Sequence, residues 1–151
     1  MSRRKGRILA FQALYSWEVS RCSVDDLLTF SWLEKDSDAS AEVPGEVILP
    51  ENAKEERTFA SLIIAGTIDH IDEIDKLIEA HLASNWTFER LNKVALAILR
   101  VGTYEIKYQK NVSSKIIIDE AVNIAKEYGT DDSYKFINAV LDKIGKDGSE
   151  N

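Results

Sequence analysis

The stretch FERLNKVALAILRVGTYEIK, residues 88–107, carries apolar side chains at Leu91, Val94, Ala95, Ile98, Leu99 and Val101. Spacings of three and four put them on a helical face, and the neighbouring apolar positions widen that face past a single stripe. A run this long exceeds a buried strand. It predicts the longest and most central helix of an all-α fold.

Working outward, residues 115–128 predict a sixth helix, stopped by Gly129. Ile116-Ile117-Ile118 would suit a strand, but the run is short and passes into a helical Ala/Val/Ile pattern. A seventh helix follows Asp131-Asp132, carries Phe136, Ile137, Val140, Leu141 and Ile144, and ends before Gly145, leaving residues 146–151 as a polar tail. Toward the N-terminus, residues 71–83 repeat Ile71, Ile74, Leu77, Ile78 and Leu82 at helical period, with Thr87 as N-cap of the long helix that follows. Residues 52–68 present Phe59, Leu62, Ile63 and Gly66, where glycine allows close helix approach. Residues 3–19 place Leu9, Ala13, Leu14 and Trp17 on one stripe. A short helix near Asp25, capped by Ser23, brings Leu27, Leu28 and Trp32. Both prolines fall in residues 34–51, an acidic linker joining two packed helical halves.

At 151 residues with 44% hydrophobic and 30% charged side chains, the chain suits a single domain, 1–151, able to bury a core without disulfide or metal. Seven glycines and two prolines are few, which favours helices. No apolar run approaches a membrane span, no secretory h-region follows the basic start, and the single Cys22 excludes an intrachain disulfide; a cytoplasmic protein is expected. The net charge of −7 is unevenly placed. Residues 34–57 hold eight acids against three bases, while residues 1–7 hold four bases and no acid. Local fields, not net charge, steer a polyanion.

Catalytic signatures are missing. There is no phosphate-binding glycine loop, dinucleotide fingerprint or nucleophile elbow. His70 among Asp69, Asp72, Glu73 and Asp75 is the best metal cluster, but helical spacing gives at most two ligands on one face, so a solvated helix junction is expected. Cys22 reads as a small buried residue. Neither a metal, a cofactor nor a catalytic residue is expected.

The basic start invites a different chemistry. Arg3, Arg4, Lys5 and Arg7 open a helix whose N-terminus already carries partial positive charge, a costly arrangement that a bound polyanion would relieve; a solvated basic terminus is the alternative. Gln12 and Tyr15 lie one turn apart and can share that face. An amide can read a base edge and a tyrosine can stack on an unpaired base, although Tyr15 also suits a half-buried core position. Asp132, Lys135 and Phe136 begin the last helix, where Lys135 can meet a phosphate and Tyr134 or Phe136 a base; Phe136 equally suits the core.

Arg-Arg-Lys-Gly-Arg followed by Ala10-Phe11-Gln12-Ala13-Leu14-Tyr15-Ser16-Trp17-Glu18 resembles the opening of the NusB antitermination family. The resemblance continues through Leu62-Ile63-Ile64-Ala65-Gly66, Trp86-Thr87-Phe88-Glu89-Arg90-Leu91, Ile98-Leu99-Arg100 and Tyr104-Glu105. It is densest from Ile118-Asp119-Glu120-Ala121-Val122 through Ala125-Lys126, Tyr128-Gly129 and Lys135-Phe136-Ile137-Asn138-Ala139-Val140-Leu141-Asp142, and omits only residues 34–51.

This resemblance implies an all-α bundle of about seven helices in two packed halves. It implies a non-enzymatic factor that binds boxA RNA together with the ribosomal protein NusE. Such a factor joins the RNA polymerase elongation complex with other Nus factors and suppresses termination, chiefly in ribosomal RNA operons, without a membrane. Position by position, it implies RNA contacts at Arg3, Arg4, Lys5, Arg7, Gln12 and Tyr15, with Lys135 and Phe136 on the last helix and Asp132 at the RNA and partner surface. Tyr104 and Glu105 match the family as candidates for a partner contact or a structural role. The chain departs from the family at Ala95-Leu96, often an acidic–basic pair on the partner-facing helix, and at Ala139, often glycine. The family also resembles the N-terminal domains of some RNA cytosine methyltransferases, so an enzyme subunit is one alternative; a helical module that binds only protein is another.

Overall fold

Asn92 decides where the central helix begins. Its side chain accepts hydrogen bonds from the Val94 and Ala95 amides at 2.9 and 3.2 Å, which caps a helix running Lys93–Tyr108. The expected start at residue 88 is instead a separate 3-10 turn, Phe88–Arg90, followed by extended backbone at Leu91. In the computed structural model, which describes residues 1–30, 32, 53–84, 86–130 and 132–149, seven α-helices are present and no strand occurs among the described residues. They are α1 (Arg3–Ser20), α2 (Val24–Leu28), α3 (Lys54–Asp69), α4 (Ile71–Ala80), α5 (Lys93–Tyr108), α6 (Ser114–Tyr128) and α7 (Ser133–Ser149). The acidic linker expected at 34–51 lies outside the described residues.

α5 is buried on every side from Ala95 to Glu105 and packs against α1, α3, α4, α6 and α7. The packed helices share one core: Phe11 and Leu14 of α1 join Ile98 and Leu99 of α5 and Ile137 and Leu141 of α7. Truncating any one of these fully buried side chains to alanine costs about 2–5 kcal/mol.

Close approach is set by small residues. A Cβ on Gly66 would lie 2.3 Å from the Tyr104 ring, so α3 and α5 touch backbone to ring as the sequence anticipates. A Cβ on Gly6 would meet the Phe59 ring at 2.5 Å, bringing α1 equally near α3. Gly129 does end α6, but at φ −91° it is not left-handed. It is small because the Ala125 carbonyl and the Ser133 hydroxyl crowd it.

Two other expectations change and a third holds. Leu62 is 62% exposed because the buried stripe of α3 is Ala60, Ile63, Ile64 and Thr67; Leu62 lines a cleft with Met1, Arg3 and Val112. α7 does not stop at Gly145 but runs on to Ser149, so most of the expected tail is helix; Gly145 is kept small by the Ser114 side chain. Ile116-Ile117-Ile118 is helical, as the sequence predicts, with Ile116 exposed and the next two buried, and Ser113 caps the segment at the Ile116 amide.

Candidate nucleic-acid interface

α1 carries its cations at the wrong end for its own dipole and compensates in two ways. Ser2 caps the helix by accepting from the Lys5 amide, and the first-turn acids of α3 come alongside. Glu56 accepts from the Ser2 amide at 3.3 Å, and Glu55 lies 3.8 Å from the terminal amine. Arg3, Arg4 and Lys5 stay exposed. Arg4 reaches Glu127 at the end of α6, 3.0 Å away, while Arg3 and Lys5 make no ion pair with the described residues.

Arg7 is a correction to the sequence reading. It is 3% exposed and donates a bidentate pair to Glu105 at 2.7 and 2.8 Å, with Glu120 at 3.9 Å and the Phe59 ring beneath it. Gln12 is a second correction, with no exposed surface at all. The cause is the same in both cases. α1 is wedged between α3 and α5, with Tyr128 of α6 on Phe11, so a helix read as one-sided is buried almost all round from Gly6 to Leu14. Tyr15 is half-buried against the core.

Tyr104 and Glu105 are also corrected as partner contacts. Tyr104 is buried against Gly66 and Tyr108, and its hydroxyl accepts from Gln109 at 3.2 Å. Glu105 is the partner of Arg7. Ala95 and Leu96, where the family often has a charged pair, are buried in the core. A second ion-pair cluster ties the helices together: Arg100 donates to both Asp75 oxygens at 2.9 Å and to Glu18 at 2.7 Å, linking α5 to α4 and α1. Desolvation pulls the Arg100 pKa down, but the hydrogen bonds and charges of Asp75 and Glu18 outweigh it and hold it above its ordinary value.

At the start of α7, Asp132 and Lys135 are exposed and lie 3.7 Å apart. Phe136 is half-buried and tilts against Trp86, ring centroids 6.0 Å apart. The α1 cations and the α7 start are joined through the end of α6, where Glu127 holds Arg4 and Lys126 lies 5.0 Å from the Tyr134 ring centroid. Burial raises the Tyr128 phenol pKa between them; the Glu127 charge adds to this and Arg4 opposes it. So Arg4 reaches the end of α6, whose Lys126 meets Tyr134 at the start of α7, while Arg7 and Gln12 lie buried below the exposed α1 cations.

Sequence reasoning passed over Lys126, Trp86 and Arg90 as contact candidates. The Trp86-to-Arg90 spacing was visible, but it reads as a helix junction until Phe136 is seen beside it. His70 is exposed, as expected of a helix junction, with its ring stacked on Tyr108. Cys22 is half-buried against the core. Among the described residues no group of three or more His, Cys, Asp or Glu side chains could hold a metal, and no helix is long and apolar enough to cross a membrane.

The NusB family model matches residues 4–146. The transcription antitermination protein NusB of Treponema denticola is 49% identical over 144 residues, covering 95% of this chain and 96% of that protein. Its counterpart in Borreliella burgdorferi is 41% identical, covering 93% and 91%. Among solved structures, T. maritima NusB superposes with a TM-score of 0.77 at 33% identity, covering 100% of this chain and 99% of that one. A complex of the antitermination factors NusB and NusE with double-stranded RNA contains a chain that superposes at 0.76 with 28% identity, covering 96% of each.

Proposed function

This chain belongs to the NusB family of transcription antitermination factors, which are not enzymes, and on that premise we propose that it binds the boxA segment of nascent RNA beside NusE. The carrying observation is the set of three exposed cations, Arg3, Arg4 and Lys5, on the positive end of a helix with no acid in its first turn. Phosphates neutralise this cluster, and the exposed Lys135 beside Phe136 offers a second contact point across the end of α6. Unpaired RNA presents both phosphates and free base faces, which suits cations interspersed with rings.

The mechanism is that of a scaffold. No bond is made or broken. NusE docks beside the RNA, each raising the other's affinity. The assembly then joins the RNA polymerase elongation complex with other Nus factors in the cytoplasm and suppresses termination, chiefly in ribosomal RNA operons. The NusB–NusE–RNA complex of a relative supports this pairing of ligands.

The experiment is fluorescence anisotropy with labelled boxA RNA, with and without NusE. Reciprocal coupling is expected: NusE tightens RNA binding by the factor by which RNA tightens NusE binding. RNA held no better than a scrambled oligonucleotide in both conditions would sink the reading.

A further inference from the structure

Trp86 is 40% exposed, unusual for so large an apolar ring, and it is held in a fixed place. Its amide donates to the Ala83 carbonyl at 2.9 Å. The following 3-10 turn is closed by the Arg90 and Leu91 amides, and Leu91 is anchored in the core. The guanidinium of exposed Arg90 lies 5.2 Å from the Trp86 ring centroid, and Phe136 flanks the ring.

Tyr134, Lys135 and Phe136 occupy consecutive positions on α7, about 100° apart around its axis. Tyr134 meets Lys126 and Phe136 meets Trp86, so the exposed Lys135 stands between Tyr134, with Lys126 beside it, and the Phe136–Trp86 pair, with Arg90 over the Trp86 ring. Alternating cations and aromatic faces are what a single strand needs, with phosphates on the former and bases on the latter. The strip also continues, through Lys126 and the Arg4–Glu127 pair, the surface already assigned to RNA.

We infer that Trp86 and Arg90 form a subsite for an unpaired nucleobase, next to a phosphate held by Lys135. This rests on the RNA-binding reading above and adds a stacking platform to it.

The test uses the full chain and single-stranded boxA oligonucleotides in which each base in turn is replaced by an abasic site. Trp86→Ala lowers affinity about five- to 150-fold, the range for losing one base–aromatic stack, while Trp86→Phe keeps most of it. One abasic position weakens the wild type by a similar factor and leaves Trp86→Ala unaffected. RNA also quenches tryptophan emission, and that quench is lost in Trp86→Phe although Trp17 and Trp32 remain, which gives a readout even if the alanine variant does not fold.

An Arg3→Gln/Arg4→Gln/Lys5→Gln variant separates the two layers. If it loses RNA while Trp86→Ala binds within twofold of wild type, the subsite is wrong and the RNA reading stands. Loss of NusE binding alone in Trp86→Ala makes the ring a protein anchor and overturns the subsite too. Equal sensitivity of both proteins to every abasic position also overturns it. If the wild type holds no oligonucleotide, the functional reading fails and the subsite with it.

Discussion

Replacing Arg7 with methionine removes the only cation paired with Glu105 among the described residues and strands a carboxylate whose side chain is 3% exposed, with Glu120 near Arg7 as a second acid. Breaking a buried pair by deleting one partner costs about 3–5 kcal/mol, because the remaining charge is neither solvated nor compensated. At roughly 2–4 °C per kcal/mol for a chain of this size, Arg7→Met should melt about 6–20 °C below wild type at pH 7. Arg7→Met/Glu105→Leu, which leaves no charge of the pair, should recover much of the loss at pH 7. Urea and thermal melts at pH 7 provide the measurement. RNA affinity of the folded Arg7→Met molecule should stay near wild type, since Arg7 does not reach solvent. A loss under about 1 kcal/mol at pH 7, or a double variant as unstable as the two singles summed, would refute the reasoning.

Two further outcomes follow from the packing. Gly66→Ala pushes a methyl into the buried Tyr104 ring and should cost about 1–3 kcal/mol in urea melts, against the gain that alanine brings to an open helix site. Tyr108, whose phenol is pushed up to about 12 by desolvation and then by the hydrogen bond and charge of Glu73, should ionise well above the usual tyrosine range in an ultraviolet titration. Its contribution to stability is present below pH 10 and fades as pH rises toward 12; Glu73→Gln should bring its ionisation earlier.

How far the sequence could be read depends on what each residue is asked to do. Periodicity found all seven helices, because an apolar stripe at 3.6-residue spacing is a one-dimensional signal. Gly66 was legible for the same reason: a glycine on a buried stripe has few other uses. The site was legible only in part. Arg3, Arg4 and Lys5 lie at the start of α1 and stay exposed among the described residues. Arg7 and Gln12 look identical in sequence to surface contacts, and only the packing of α3, α5 and α6 around α1 puts them inside. Glu105 has the same difficulty, since its partner is 98 positions away. Trp86 is the converse case, a residue that reads as structural until the fold sets Phe136 beside it.

The exposed cations of α1 are tested most directly by the salt dependence of boxA binding in the wild type and in Arg3→Gln/Arg4→Gln/Lys5→Gln. Each lost phosphate contact should flatten the plot of log affinity against log salt by about one unit, so the triple variant should lose roughly two to three units of slope and bind weakly at low salt. Two parallel lines of equal affinity would mean that these side chains never meet the RNA.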